Sequence, residues 1–126
     1  MSLELRVLPD KLAVCRLNAG DESDLRAASG LFSVTRTAQE LSVVCPEEDA
    51  PEDCEASMGW RALEVQGPID HTATGVLASL AAPLAEADVP LFPLATFDTD
   101  YVLVRQQDLE SATEALTAAG HRVESR

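Results

Sequence analysis

From Arg61 onward the apolar spacing of the chain changes from two to about 3.6 and back, twice, and few folds accommodate that order. RALEVQ (61–66) alternates apolar and polar residues as a half-buried strand does. Gly67-Pro68 then turns the chain, and Asp70 or Thr72 is placed to cap a helix that begins near Thr74. Val76, Leu77, Leu80 and Leu84 recur at helical spacing and form one apolar stripe, with Pro83 expected to bend the helix because it lacks an N–H group. VPLFPLATF (89–97) and DYVLVR (100–105) are apolar runs joined at Asp98-Thr99, a hairpin signal. Leu109, Ala112, Leu116 and Ala119 form a second stripe that Gly120 stops, and HRVES supplies a last short strand.

Read in chain order this is β-α-β-β-α-β, the ferredoxin-like split βαβ arrangement of the α+β class, with both helices on one face of an antiparallel sheet. The first half reads differently. LELRVL (3–8) and KLAVCRL (11–17) alternate around Pro9-Asp10 and predict a hairpin; residues 18–30 are mostly connection; FSVTRT (32–37) and ELSVVC (40–45) predict a second hairpin across Ala38-Gln39. CPEEDAPEDCEAS (45–57) combines two prolines with six carboxylates, so it reads as a solvated linker; it lacks the ligand spacing and central glycine of an EF-hand loop. The expected division is therefore a β-rich domain over 1–57 and a complete βαββαβ domain over 58–126.

Charge narrows the function. Nine Lys and Arg stand against 22 Asp and Glu in 126 residues, a net charge of −13, which repels phosphate backbones and anionic lipid. Nucleic acid and membrane surfaces are excluded as partners. The apolar residues (46% of the chain) fall in short runs, and MSLELRVLPDKL has no basic segment followed by an apolar stretch, so a cytoplasmic protein is expected. Cys15, Cys45 and Cys54 cannot all pair with one another and show no metal or redox spacing, so they read as reduced thiols. No nucleophile elbow, phosphate-binding glycine loop, dinucleotide fingerprint or zinc-protease motif occurs, and His71 beside Asp70 has no matching nucleophile or metal partner. No catalytic residue, metal site or cofactor is expected.

Three stretches carry a resemblance: the opening LELRVLPDKLAV, LFSVTRTAQELSVVCPEE (31–48) and APLAEADVPLFPLATFDTDYVLVRQQDLESA (82–112). They resemble the tandem ACT domains of small bacterial ACT proteins and one half of the CASTOR arginine sensors, most sharply in TFDTDYVLV (96–104). The resemblance implies a shortened, β-rich ACT-like domain followed by a complete ACT domain, a small amino-acid-binding regulatory module that works as a homodimer.

A free amino acid presents an ammonium, which seeks carboxylates or carbonyls, and a carboxylate, which seeks N–H groups or hydroxyls. N–H groups around Gly75 and Val76, at the start of a helix, can meet the ligand carboxylate with the helix dipole assisting. Carried over residue by residue, the resemblance implies a pocket of Asp70, Gly75, Val76, Leu91, Thr96, Phe97 and Asp100, with Asp100 holding a cationic group. Each has a plainer role available: Asp100 as a turn cap, Phe97 as core, Thr96 as an ordinary strand residue, Gly75 as a helix start. Where the CASTOR pattern has an acidic residue this sequence has Ala73, one carboxylate fewer for a guanidinium. The alternative to an amino-acid sensor is a structural or protein-interaction domain with a vestigial pocket.

Overall fold

Eight strands and two helices are formed among the residues that the computed structural model describes, 1–21, 30–67 and 74–125. In chain order they are β1 (Glu4–Val7), β2 (Leu12–Leu17), β3 (Ser33–Arg36), β4 (Leu41–Pro46), β5 (Glu55–Val65), α1 (Val76–Glu86), β6 (Phe92–Ala95), β7 (Asp100–Arg105), α2 (Leu109–Ala118) and β8 (Arg122–Glu124). The chain is of the α+β class and divides into two compact units: Met1–Pro9 together with the chain from Arg61 onward, and Asp10–Trp60. That is not the division at 57/58 read from the sequence. The first nine residues belong with the C-terminal half, and β5 supplies its first six residues to one unit and its last five to the other.

The C-terminal unit realises β-α-β-β-α-β in β5, α1, β6, β7, α2 and β8, with one addition. β1 lies between β5 and β8, antiparallel to the first (Leu5 opposite Val65, Val7 opposite Leu63) and parallel to the second (Leu5 opposite Val123). β7 pairs with β5 and β6. One face of this sheet carries Leu5, Val7, Leu63, Val65, Val102 and Val104, which pack against Leu80 and Leu84 of α1 and Ala112 and Leu116 of α2. The 3.6 spacing of the helices and the 2.0 spacing of the strands thus meet in a single core.

α1 starts at Val76, two residues later than its pattern suggested, and runs unbroken through Pro83; Gly75 precedes it with φ +80°, a conformation that costs a side-chain-bearing residue energy. Asp70 and Thr72, the expected caps, lie outside the described residues, as do His71 and Ala73. α2 is followed by Gly120 at φ +99°, which fulfils the stop read from the sequence. Next to it His121, 5% exposed, is held from two sides: its Nδ1 accepts from the Leu3 N–H at 3.0 Å and its Nε2 lies 3.0 Å from the Ser79 carbonyl. With Nδ1 an acceptor, Nε2 carries a proton and donates to the Ser79 carbonyl, so one ring ties α1 to the residues that lead into β1 and β8.

The N-terminal unit is a sheet in the order β3-β4-β2-β5, antiparallel throughout. The β3/β4 hairpin forms as read, its turn closed by Thr37, whose N–H donates to the Glu40 carbonyl at 2.9 Å and whose Oγ1 accepts from the Glu40 N–H at 3.1 Å. The first expected hairpin does not form. β1 and β2 do not reverse on one another; each pairs antiparallel with its own part of β5, β1 with residues 63–65 and β2 with 55–60. Alternation shows that a strand has a buried face without showing which neighbour covers its edges, and an eleven-residue β5 is long enough to serve both.

The acidic stretch also departs from a plain linker. Glu47–Asp49 is a single 3-10 turn, Ala50 and Cys54 pack on the core, and the Glu47 carboxylate accepts from the Gly59 N–H at 2.6 Å. β5 begins at Glu55, six residues before the alternation becomes legible.

Candidate functional site

Topology gathers most of the expected residues at one end of the C-terminal sheet. β5 and β6 both run toward that end and β7 runs away from it, so the last residues of β5, the Thr96–Thr99 turn and Asp100 lie there, and the Leu3–His121–Ser79 bonds hold the first turn of α1 at the same end of the sheet. Gly75, Val76, Thr96, Phe97 and Asp100 are among them. Leu91 is not: it precedes β6 at the opposite end, packed against the core, on the order of 15 Å of extended strand from Thr96. Asp70 lies outside the described residues.

The turn between β6 and β7 is built by two threonines. The Thr96 N–H and Oγ1 both donate to the Thr99 carbonyl, at 2.9 and 3.2 Å, and the Thr99 N–H donates back to Thr96 Oγ1 at 3.3 Å. Thr99 Oγ1 donates to the Val65 carbonyl at 2.6 Å and so fixes the turn to the end of β5. Phe97 at the turn's tip is 81% exposed, which removes the core role that an aromatic there can have. Asp100 pairs with Ala95 in the ladder, half-buried, on the same strand face as Val102 and Val104, where the helices pack.

On the other face of β7, Tyr101 donates its hydroxyl proton to Glu64 Oε2 at 2.9 Å. Burial, followed by that bond and the charges of Glu64 and Asp98, pushes the Tyr101 phenol up to about 12. Gln66 donates to the other Glu64 oxygen at 3.3 Å. These groups, with Gly67, Thr96, Asp98 and Thr99, line an open cleft of about 460 Å³. The cleft is rich in acceptors and suits cationic or N–H-bearing groups. It was not read from the sequence, because the Glu64–Tyr101 bond requires knowing that β5 and β7 are neighbours.

At the helix start, the first bond within α1 runs from the Ser79 N–H to the Gly75 carbonyl, so the N–H groups of Val76, Leu77 and Ala78 have no acceptor inside the helix. Donors for an anionic group and a carboxylate for a cationic one therefore stand at the same end of the sheet. Among the described residues no group of three or more His, Cys, Asp or Glu is arranged to hold a metal ion, and no helix is long and apolar enough to cross a membrane.

The comparisons with known proteins agree with this architecture. The ACT domain family model matches residues 55–118, and a second model, an N-terminal domain family, matches residues 10–53. The cytosolic arginine sensor for mTORC1 subunit 1 of Bos taurus is 32% identical over 102 residues, covering 72% of this chain and 31% of the relative; the Rattus norvegicus counterpart is 33% identical over 101 residues, covering 72% and 30%. The chain thus spans about a third of the length of these relatives. A crystal structure of an Agobacterium tumefaciens protein matches with a TM-score of 0.90 at 33% identity, covering 100% of this chain and 95% of that one. The regulatory subunit of aspartate kinase from Thermus thermophilus shares the fold, with a TM-score of 0.66 at 12% identity, covering 91% and 95%. The family model matches more than half of the chain and coincides with the elements from β5 to α2 that build the cleft and the helix start, and on that match the chain belongs to the ACT-domain family.

Proposed function

We propose that this protein is a non-enzymatic regulatory module that binds a free amino acid at an interface between the C-terminal units of two subunits, in the cytoplasm. What supports the reading is that the start of α1, where the N–H groups of Val76, Leu77 and Ala78 have no acceptor inside the helix, lies at the same end of one sheet as Asp100. A zwitterion needs both. Asp70, Gly75, Val76, Thr96, Phe97 and Asp100 form the site, and backbone near Leu91 is contributed by the second subunit, a role suited to its place at the far end of β6. The exposed Phe97 ring becomes a wall of the pocket once ligand or partner covers it. The N-terminal unit acts as a reduced, β-rich ACT-like partner domain, so that two chains reproduce the four-domain assembly of a longer tandem protein.

The relatives named as arginine sensors support an amino-acid ligand. Asp100 and the net charge of −13 favour a basic or neutral side chain over aspartate or glutamate. Thermal unfolding of the chain across the free amino acids tests the reading. A native-state ligand at ~100 times its Kd stabilises by ~2.7 kcal/mol. A stabilising basic or neutral amino acid is expected; no response to any amino acid favours the structural or protein-interaction alternative. Light scattering at micromolar concentration should give twice the 13.5 kDa of one chain, and a single-chain mass would remove the shared pocket.

A further inference from the structure

The three cysteines, 15, 45 and 54 in the sequence, converge on one face of the N-terminal sheet. Cys15 lies on the central β2, opposite Val43 of β4 and Ala56 of β5. Cys45, two residues beyond Val43, and Cys54, two residues before Ala56, are therefore its diagonal neighbours on the same face. All three belong to one apolar cluster, with Cys15 and Cys45 buried and Cys54 partly exposed. Nothing in the proposed amino-acid site uses these thiols.

We propose that Cys54 and Cys15 form a peroxide-responsive thiol pair, in which the accessible Cys54 is oxidised first and the buried Cys15 then closes a disulfide onto it. The Cys54 thiolate attacks one oxygen of hydrogen peroxide, which breaks the O–O bond, gives a sulfenic acid and releases hydroxide. Cys15 attacks the sulfenic sulfur; an S–S bond forms, the S–O bond breaks, and the hydroxyl leaves as water with the Cys15 thiol proton. In balance, two thiols and one peroxide give one disulfide and two waters: each sulfur is oxidised and the peroxide is reduced.

Local structure assigns the order and the partner. Burial, with the neighbouring Cys54 and Cys45 sulfurs adding to it, pushes Cys15 up to about 12, so it stays a neutral thiol toward peroxide. Burial raises Cys45 as well. Cys54 holds its S–H on the Pro51 carbonyl at 3.1 Å, in a turn that precedes the last ladder pair, Arg16 opposite Glu55. Diagonal positions in an antiparallel ladder are ~7–8 Å apart at Cα, more than a disulfide spans without backbone movement. Cys15 and Cys45 are both held within the β2/β4 ladder, whereas Cys54 stands outside the ladder, in the turn ahead of β5, where the backbone adjustment that a disulfide needs breaks no strand pairing.

The test treats the reduced full chain with hydrogen peroxide, blocks the remaining thiols, and maps peptides without reduction. Two of the three thiols should be lost, a Cys15–Cys54 cross-link should appear, and the melting temperature should rise reversibly with dithiothreitol, since the bond constrains the unfolded chain. Cys54→Ser should abolish the cross-link and Cys45→Ala should retain it. Sulfinic or sulfonic acid at Cys54 without a cross-link, a Cys15–Cys45 bond, or a bond between two chains through Cys54 would each overturn the proposal; the mapping of the unsubstituted chain decides even if a variant fails to fold.

Discussion

The two units solve the same problem with unequal means. The C-terminal unit covers one face of its sheet with two helices and buries eleven residues in one cluster, leucines and valines for the most part. The N-terminal unit has, among its described residues, only strands and a single 3-10 turn, and its cluster is six residues, two of them cysteines. A helix brings a wide apolar stripe to a sheet face, so a unit with two of them can leave one end of its sheet to donors, hydroxyls and carboxylates and still hold together. A unit without them has less apolar area to spend. The chemistry follows the division: donors, hydroxyls and carboxylates gather at one end of the well-packed unit's sheet, and the thiols lie in the thin one.

Large-to-small substitutions measure the difference most directly. Leu84→Ala in the C-terminal cluster should cost ~4 kcal/mol and Leu41→Ala in the N-terminal cluster ~2–3 kcal/mol, both side chains being fully buried and the smaller cluster being better able to collapse around a gap. Urea unfolding of both variants would show it, and equal losses would mean that the smaller cluster is packed as rigidly as the larger. His121→Ala should cost ~2 kcal/mol, because it leaves the Leu3 N–H and the Ser79 carbonyl without their partner in a buried place. Its loss should appear as faster hydrogen exchange at the start of β1, with the N-terminal sheet unaffected. Thr99→Val, which removes the bond to the Val65 carbonyl, should cost ~1 kcal/mol in the same urea assay.

Alkaline pH separates the units with an effect that is smallest near neutrality. Cys15 is raised from 9.0 to about 12 and Tyr101 from 10.0 to about 12. In each case the unfolded chain loses its proton first, so the contribution is full below the unfolded value and is lost as pH rises toward the folded one. Stability should begin to fall near pH 9 through Cys15 and fall further from pH 10 through Tyr101. Cys15→Ala should flatten the first part of a urea-midpoint profile and Tyr101→Phe the second; a profile unchanged by either substitution would show that burial of these groups does not persist in solution.

The periodicity from Arg61 onward carried β5, both helices, the β6/β7 hairpin and β8, because amphipathic elements write their buried face into their spacing. What spacing does not record is adjacency. LELRVL was legible as a strand, yet its place between β5 and β8 was not, since both edges of a strand look alike in sequence. The start of β5 at Glu55 escaped because residues 55–59 face outward in large part and carry no apolar alternation. The same limit governs the site. Thr96, Phe97 and Asp100 could be named from a hairpin motif and Gly75 from a helix start, but the Glu64–Tyr101 bond and the three-cysteine cluster depend on which strands are neighbours.

In the proposed function Asp100 serves a ligand and the fold does not need it. The turn beside it closes on Thr96 and Thr99, and Asn in place of Asp is nearly isosteric. Calorimetric titration of wild type and Asp100→Asn with the amino acid that most stabilises the wild type is the direct test. Affinity should fall by an order of magnitude or more, matching ~1.5–3 kcal/mol for a hydrogen bond to a charged group, with the melting temperature of the unliganded protein unchanged and the ligand-dependent gain in dimer stability reduced. A severe drop in the unliganded melting temperature, with affinity intact in the folded fraction, would make Asp100 a turn residue with no part in binding.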